Sequence, residues 1–122
     1  MTICIVDDDL AIRAMLAETL EDEGYAVVTA ADGHEALVHL KNQSATPCVI
    51  LLDLMMPRMN GWEFCAAQQQ DARLATIPIV VLSARIDIEH VVTSPAIVAY
   101  LPKPIDLDRL LQVVAQYCVP LS

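Results

Sequence analysis

Short apolar runs alternate with longer amphipathic stretches along this chain. The run Ile3-Cys4-Ile5-Val6 predicts a strand over residues 2–6. Residues 10–23 predict a helix, because Ile12, Met15, Leu16, Thr19 and Leu20 recur at helical spacing on one face. Asp9 is its expected N-cap and Gly24 its stop. Ala26–Ala30 predicts a second strand. Asp32 is expected to cap a second helix that ends near Asn42, with Glu35 in the capping-box position. Val49–Leu52 is apolar at every position, as a buried central strand requires.

The loop Leu54-Met55-Met56-Pro57-Arg58-Met59 follows. Asn60 then caps a third helix, again with an acid, Glu63, three residues on. Ile79–Leu82 and Ile97–Leu101 predict the fourth and fifth strands. Asp106 caps a last helix whose apolar face is Leu107, Leu110, Leu111, Val114 and Cys118. Between the fourth and fifth strands the helical signal is poor. Residues 86–92 allow under two turns before Ser94-Pro95 stops them. The alternation is (βα)5, a doubly wound five-stranded parallel sheet covered on both faces, with a short or irregular fourth helix. Residues 1–122 read as a single domain without repeats or linkers.

Composition narrows the function classes. The 122 residues are 56% hydrophobic and 19% charged, which suits a packed core. The net charge of −9, with Lys41 and Lys103 as the only lysines, argues against direct nucleic acid binding. No apolar stretch approaches the roughly 20 residues of a membrane span. The N-terminus enters a strand at once without a basic region, so no signal peptide is expected and the cytoplasm is the expected location. Cys4, Cys48, Cys65 and Cys118 show no paired spacing and are expected as free thiols. Trp62 and Phe64 are expected to pack into the core. His34, His39 and His90 are expected on surfaces or in packing, since none has a second ligand at metal spacing.

Parallel strands all end on one edge of a sheet, and ligands bind there. Asp7 and Asp8 follow the first strand, Asp53 the third, Ser83 the fourth and Lys103 the fifth. One polar residue at a strand end means little, but these residue types on one edge form a chemical set. Asp53 is a carboxylate nucleophile for a phosphoryl group. Phosphoryl transfer needs positioning and positive charge around the phosphoryl oxygens. Asp7, Asp8 and Asp53 offer oxygen ligands suited to Mg²⁺, with Mn²⁺ as a substitute. Lys103 is placed to contact the phosphoryl oxygens as a point charge, and Ser83 to donate a hydrogen bond. Proline flanks Lys103 on both sides, and a cis Lys103-Pro104 bond is expected.

These residues also carry a resemblance. The segments Ile5-Val6-Asp7-Asp8-Asp9, Leu52 to Gly61, Val81-Leu82-Ser83-Ala84 and Tyr100-Leu101-Pro102-Lys103-Pro104 resemble the receiver domain of two-component response regulators. The resemblance implies a flavodoxin-like fold with strand order 2-1-3-4-5. It implies that Asp53 is the phosphoacceptor, charged by a histidine kinase or phosphotransfer protein. Asp8, Asp53 and the backbone carbonyl of Met55 would ligate Mg²⁺, with Asp7 acting through a metal-bound water. Ser83 and Tyr100 fall at the family's switch positions. Met55 and Arg85 fall where phosphoryl lifetime is tuned; Arg85 either screens the phosphoryl group or is a solvated surface charge.

The implied function is a phosphorylation-activated switch that is not an enzyme in its own right, though it assists its own phosphorylation and dephosphorylation. It would control a downstream protein or a fused output domain, as a monomer or a phosphorylation-linked dimer. The segment 86–97 departs from the family pattern, which puts the usual output face in question. Two alternatives stand beside this reading. One is a binding module that no longer needs phosphorylation. The other is an aspartyl-phosphate hydrolase of the haloacid dehalogenase type, which requires an acid where this chain has Met55.

Overall fold

A computed structural model describes residues 1–43, 46–56, 59–84 and 94–120. Its strands are β1 (Thr2–Val6), β2 (Ala26–Ala30), β3 (Val49–Asp53), β4 (Ile79–Ser83) and β5 (Ile97–Pro102). Its helices are α1 (Leu10–Asp22), α2 (Gly33–Lys41), α3 (Gly61–Gln69) and α4 (Leu107–Ala115). All strand pairs are parallel and the order is β2-β1-β3-β4-β5. This is the flavodoxin-like sheet expected from the sequence. The expectation for the fourth helix, and those for Arg85 and His90, fall on residues 85–93, outside the described residues.

The alternation of strand side chains divides the core in two. Ile3, Ile5, Val49, Leu51, Val80 and Leu82 pack with Leu16 and Leu20 of α1 and with Leu110, Val113 and Val114 of α4. Cys4, Val6, Ile50, Leu52, Ile79 and Val81 pack on the other face with Leu37 and Leu40 of α2 and Phe64 and Cys65 of α3. Each fully buried leucine of this kind contributes about 1.5–3 kcal/mol. Every position of β3 and β4 is buried, so the strands that carry Asp53 and Ser83 form the rigid centre.

Local chemistry sets the helix ends. The Asp9 side chain accepts from the Ala11 and Ile12 amides, and Gly24 takes φ 94° just past the end of α1. Asp32, Asn60 and Asp106 cap the other three helices, and Asn60 with Glu63 completes a capping box. The guanidinium of Arg73 satisfies the carbonyls of Leu40 and Gln43 at the end of α2.

Three expectations are corrected. Met15 is exposed rather than facing the core, because the apolar face of α1 narrows to Leu16 and Leu20 with Ile12 half-buried. The Thr19 hydroxyl donates instead to the Met15 carbonyl at 2.9 Å. On α4 the buried set includes Val113, and Cys118 lies beyond the helix end. Finally, Cys48 and Cys118 are joined by a disulfide, with Cα atoms 5.5 Å apart, so only Cys4 and Cys65 are free thiols. The sheet order brings the start of β3 under the end of α4, which seventy residues of intervening chain concealed.

Candidate functional site

Asp7 leaves β1 fully buried, and its surroundings hold it on every side. Its amide donates to the Ala30 carbonyl at 3.1 Å. Its Oδ1 accepts from the Asp9 amide at 2.9 Å, and its Oδ2 lies 3.0 Å from Lys103 Nζ. Its carbonyl oxygen accepts from Arg13 Nη1 at 2.8 Å. Asp8, next in the chain, is exposed, and Asp9 turns away to cap α1. The three adjacent acids thus have three different places.

Asp53 ends β3 and is 4% exposed. Its Oδ1 accepts from the Met55 amide at 3.2 Å and lies 3.5 Å from Lys103 Nζ. Gly61 keeps Leu54 close to the start of α3. Its amide donates to the Leu54 carbonyl at 2.9 Å, and a Cβ there would lie 2.4 Å from Leu54 Cδ2 and 2.7 Å from Leu54 Cα. Lys103 follows β5, its amide donates to the Ser83 carbonyl at 2.8 Å, and the Lys103-Pro104 bond is cis.

One carboxylate oxygen from each of Asp7, Asp8 and Asp53 can be chosen so that all lie within 4.8 Å of one another. The Asp53 carboxyl is pushed up to about 6, first by burial and then by the Asp7 charge and a hydrogen bond with Asp8, against the pull of Lys103 and the Met55 amide. Burial draws the Lys103 ammonium down, but its hydrogen bond to Asp7 and the charges of Asp53 and Asp7 outweigh that, so its pKa is raised. Among the described residues, three acids face the Lys103 ammonium and, at the Asp7 carbonyl, the Arg13 guanidinium, which leaves excess negative charge. Hard oxygen donors in that imbalance fit a divalent cation such as Mg²⁺.

The structure brings together Asp7, Asp8, Asp53 and Lys103, with Ser83 buried at the adjoining end of β4. Tyr100 is half-buried on β5, where it packs against the cluster containing Val81 and Phe64. The Met55 side chain points away from the core and is 56% exposed. Arg13 was not singled out from the sequence; its partner is a backbone carbonyl, which leaves no mark on residue identity. His34 is exposed and His39 half-buried. Among the described residues no helix is long and apolar enough to cross a membrane.

Comparison with known proteins agrees with this architecture. The model of the response regulator receiver domain matches residues 3–115. The response regulator MprA of Mycobacterium avium (strain 104) is 42% identical over 113 residues, which are 91% of this chain and 48% of that protein. MprA of Mycobacterium bovis (strain BCG / Pasteur 1173P2) is 41% identical over 111 residues, 89% of this chain and 46% of that protein. The chain thus spans about half the length of these curated relatives. Among solved structures, the Vibrio cholerae chemotaxis protein CheY4 superposes with a TM-score of 0.83 at 33% identity, covering 96% of this chain and 98% of that one. The response regulator TrrA of Thermotoga maritima, in complex with Mg²⁺-BeF, gives a TM-score of 0.83 at 30% identity, with the same coverage. By its sheet order, its acidic edge and the match over residues 3–115, the chain belongs to the response regulator receiver domains of two-component signalling.

Proposed function

We propose that this chain is a phosphorylation-activated switch in which Asp53 accepts a phosphoryl group from a histidine kinase or a phosphotransfer protein. The observation that carries this reading is the placing of Lys103 Nζ between Asp7 and Asp53, 3.0 and 3.5 Å from their oxygens, at the edge where Ser83 also ends its strand. A carboxylate oxygen of Asp53 bonds to phosphorus as the bond to the donor imidazole nitrogen breaks, and the electron pair leaves with the imidazole. The Met55 amide holds Asp53 Oδ1, so the nucleophile is oriented before the donor arrives. The Lys103 ammonium stays charged and meets the negative charge on the transferred group.

Asp8, Asp53 and the Met55 carbonyl would hold Mg²⁺ (or Mn²⁺) directly, with Asp7 acting through water. When bound, the ion supplies positive charge to the phosphoryl oxygens. The Mg²⁺-BeF complex of the Thermotoga relative is in line with this requirement. The Ser83 hydroxyl turns toward the new phosphoryl group and the Tyr100 ring follows into the space it leaves, a two-state change set off by local charge. Met55 and Arg85 adjust how long the phosphoryl group lasts. The chain works in the cytoplasm and hands its state to a downstream protein or a linked output domain, as a monomer or a phosphorylation-linked dimer.

Incubation with acetyl phosphate and Mg²⁺, followed by a phosphate-affinity gel, tests the reading. A shifted band is expected for wild type, none for Asp53→Asn and none with a chelator present. Absence of a shifted species with acetyl phosphate and with a phosphorylated histidine donor would overturn it.

A further inference from the structure

The four cysteines occupy two kinds of place. Cys4 and Cys65 lie in the core under α2 and α3 as free thiols, where burial pushes them up to about 12 and about 11. Neither supplies thiolate near neutral pH, so neither competes in exchange. Cys48 and Cys118 are bonded to each other at the edge of the sheet opposite the acids. Cys48 stands immediately before β3, and its amide donates to the Thr2 carbonyl at 2.9 Å. Cys118 follows α4, is 4% exposed, and donates its amide to the Val114 carbonyl at 2.9 Å. Cys48 is only half-buried where Cys118 is buried, so the more open side of the bond is at Cys48. Cys48 Sγ also lies 3.3 Å from the Thr2 carbonyl oxygen, which gives a released thiol an acceptor in place.

We propose that Cys48 and Cys118 form a reversible redox site, exchanging with low-molecular-weight thiols and disulfides, that fastens the far end of α4 to the strand bearing Asp53. The location rests on the phosphotransfer reading, which puts the chain in the cytoplasm. Bridges that form there are transient or redox-sensing rather than permanent. To open the site, a small thiolate attacks Cys48 Sγ, the bond between the two sulfurs breaks, and Cys118 leaves as thiolate and takes a proton from water. A second small thiolate then attacks the small-molecule sulfur of the mixed disulfide and releases the Cys48 thiol. Two small thiols end as one small disulfide, and two cysteines end reduced; closure is the reverse. Because α4 is capped by Asp106, three residues beyond Lys103, the site fixes one end of a helix whose other end adjoins the phosphoryl-binding lysine.

The test equilibrates the folded chain in buffers of varied reduced and oxidised glutathione, traps free thiols with an alkylating agent, and maps them by peptide mass. Cys48 and Cys118 should lose and regain alkylation together, with Cys4 and Cys65 unreactive in the native protein. Reduction should lower the melting temperature by roughly 10 °C. Cys48→Ala and Cys118→Ala should each melt at one temperature in both buffers. No bridge in oxidising buffer, a bridge that resists excess thiol in the folded protein, or bonding through Cys4 or Cys65 overturns the proposal. These measurements need no phosphoryl donor, so a failure of Asp53 labelling leaves them readable.

Discussion

Lys103 Nζ bridges two carboxylates, 3.0 Å from Asp7 Oδ2 and 3.5 Å from Asp53 Oδ1. Asp7 is fully buried and Asp53 nearly so, and among the described residues this ammonium is the cation in contact with both. Lys103→Ala should therefore destabilise the metal-free protein by about 1–3 kcal/mol, the usual cost of stranding a buried polar group. Mg²⁺ binding should survive, since the oxygen donors remain, and Mg²⁺ should recover part of the stability. Phosphorylation by acetyl phosphate should slow and the conformational response should weaken. Denaturant melts with and without Mg²⁺, with gel-shift time courses, separate these effects.

Burial, followed by the Asp7 charge, pushes the Asp53 carboxyl up to about 6 from its ordinary 3.8. Between those values the native protein holds a proton that the unfolded chain has released. Stability from this group is therefore lost as pH rises through the window. Asp53→Asn removes that loss along with one like charge. The variant should be more stable than wild type above about pH 7 and lose the advantage toward about pH 4. Melting curves across that range in chelator check the sign; an advantage that grows at low pH would contradict the charge argument.

Mg²⁺ should raise the melting temperature, because it binds acids that the folded chain gathers and the unfolded chain scatters. At a concentration near a hundred times the dissociation constant the gain should be about 2.7 kcal/mol. It should fade below about pH 6, where protons compete for the same oxygens. Tenfold dilution of the ion at two pH values, read by differential scanning fluorimetry, gives both slopes.

Gly61→Ala should be costly for steric reasons alone. The added Cβ would meet Leu54 at 2.4 Å and at 2.7 Å, the second contact being backbone. The expected loss is about 1–3 kcal/mol, and the displaced loop should slow Asp53 phosphorylation. A variant with wild-type melting would mean that Leu54 yields more readily than its contact with Gly61 implies.

The sequence made the reacting edge legible because parallel strands end together, so Asp7, Asp53, Ser83 and Lys103 could be placed on one side before any distance was known. The caps Asp9, Asp32, Asn60 and Asp106 were legible because capping is local chemistry. Met15 was misplaced because helical spacing gives a broad stripe, and the neighbouring sheet covers only its Leu16–Leu20 centre. The Cys48–Cys118 bond was hidden because it depends on strand order across the whole fold. Arg13 was hidden because its acceptor is main chain. The expectation for Arg85 falls outside the described residues.

The amide of Lys103 donates to the carbonyl of Ser83 at 2.8 Å. The lysine and the serine are thus tied main chain to main chain at the end of the β4–β5 ladder. Rotation of the serine hydroxyl leaves that bond untouched. The exchange rate of the Lys103 amide proton is consequently a built-in gauge. Unchanged exchange on phosphorylation would mean signalling by side-chain rotation over a fixed backbone, and faster exchange would mean that the sheet edge itself opens.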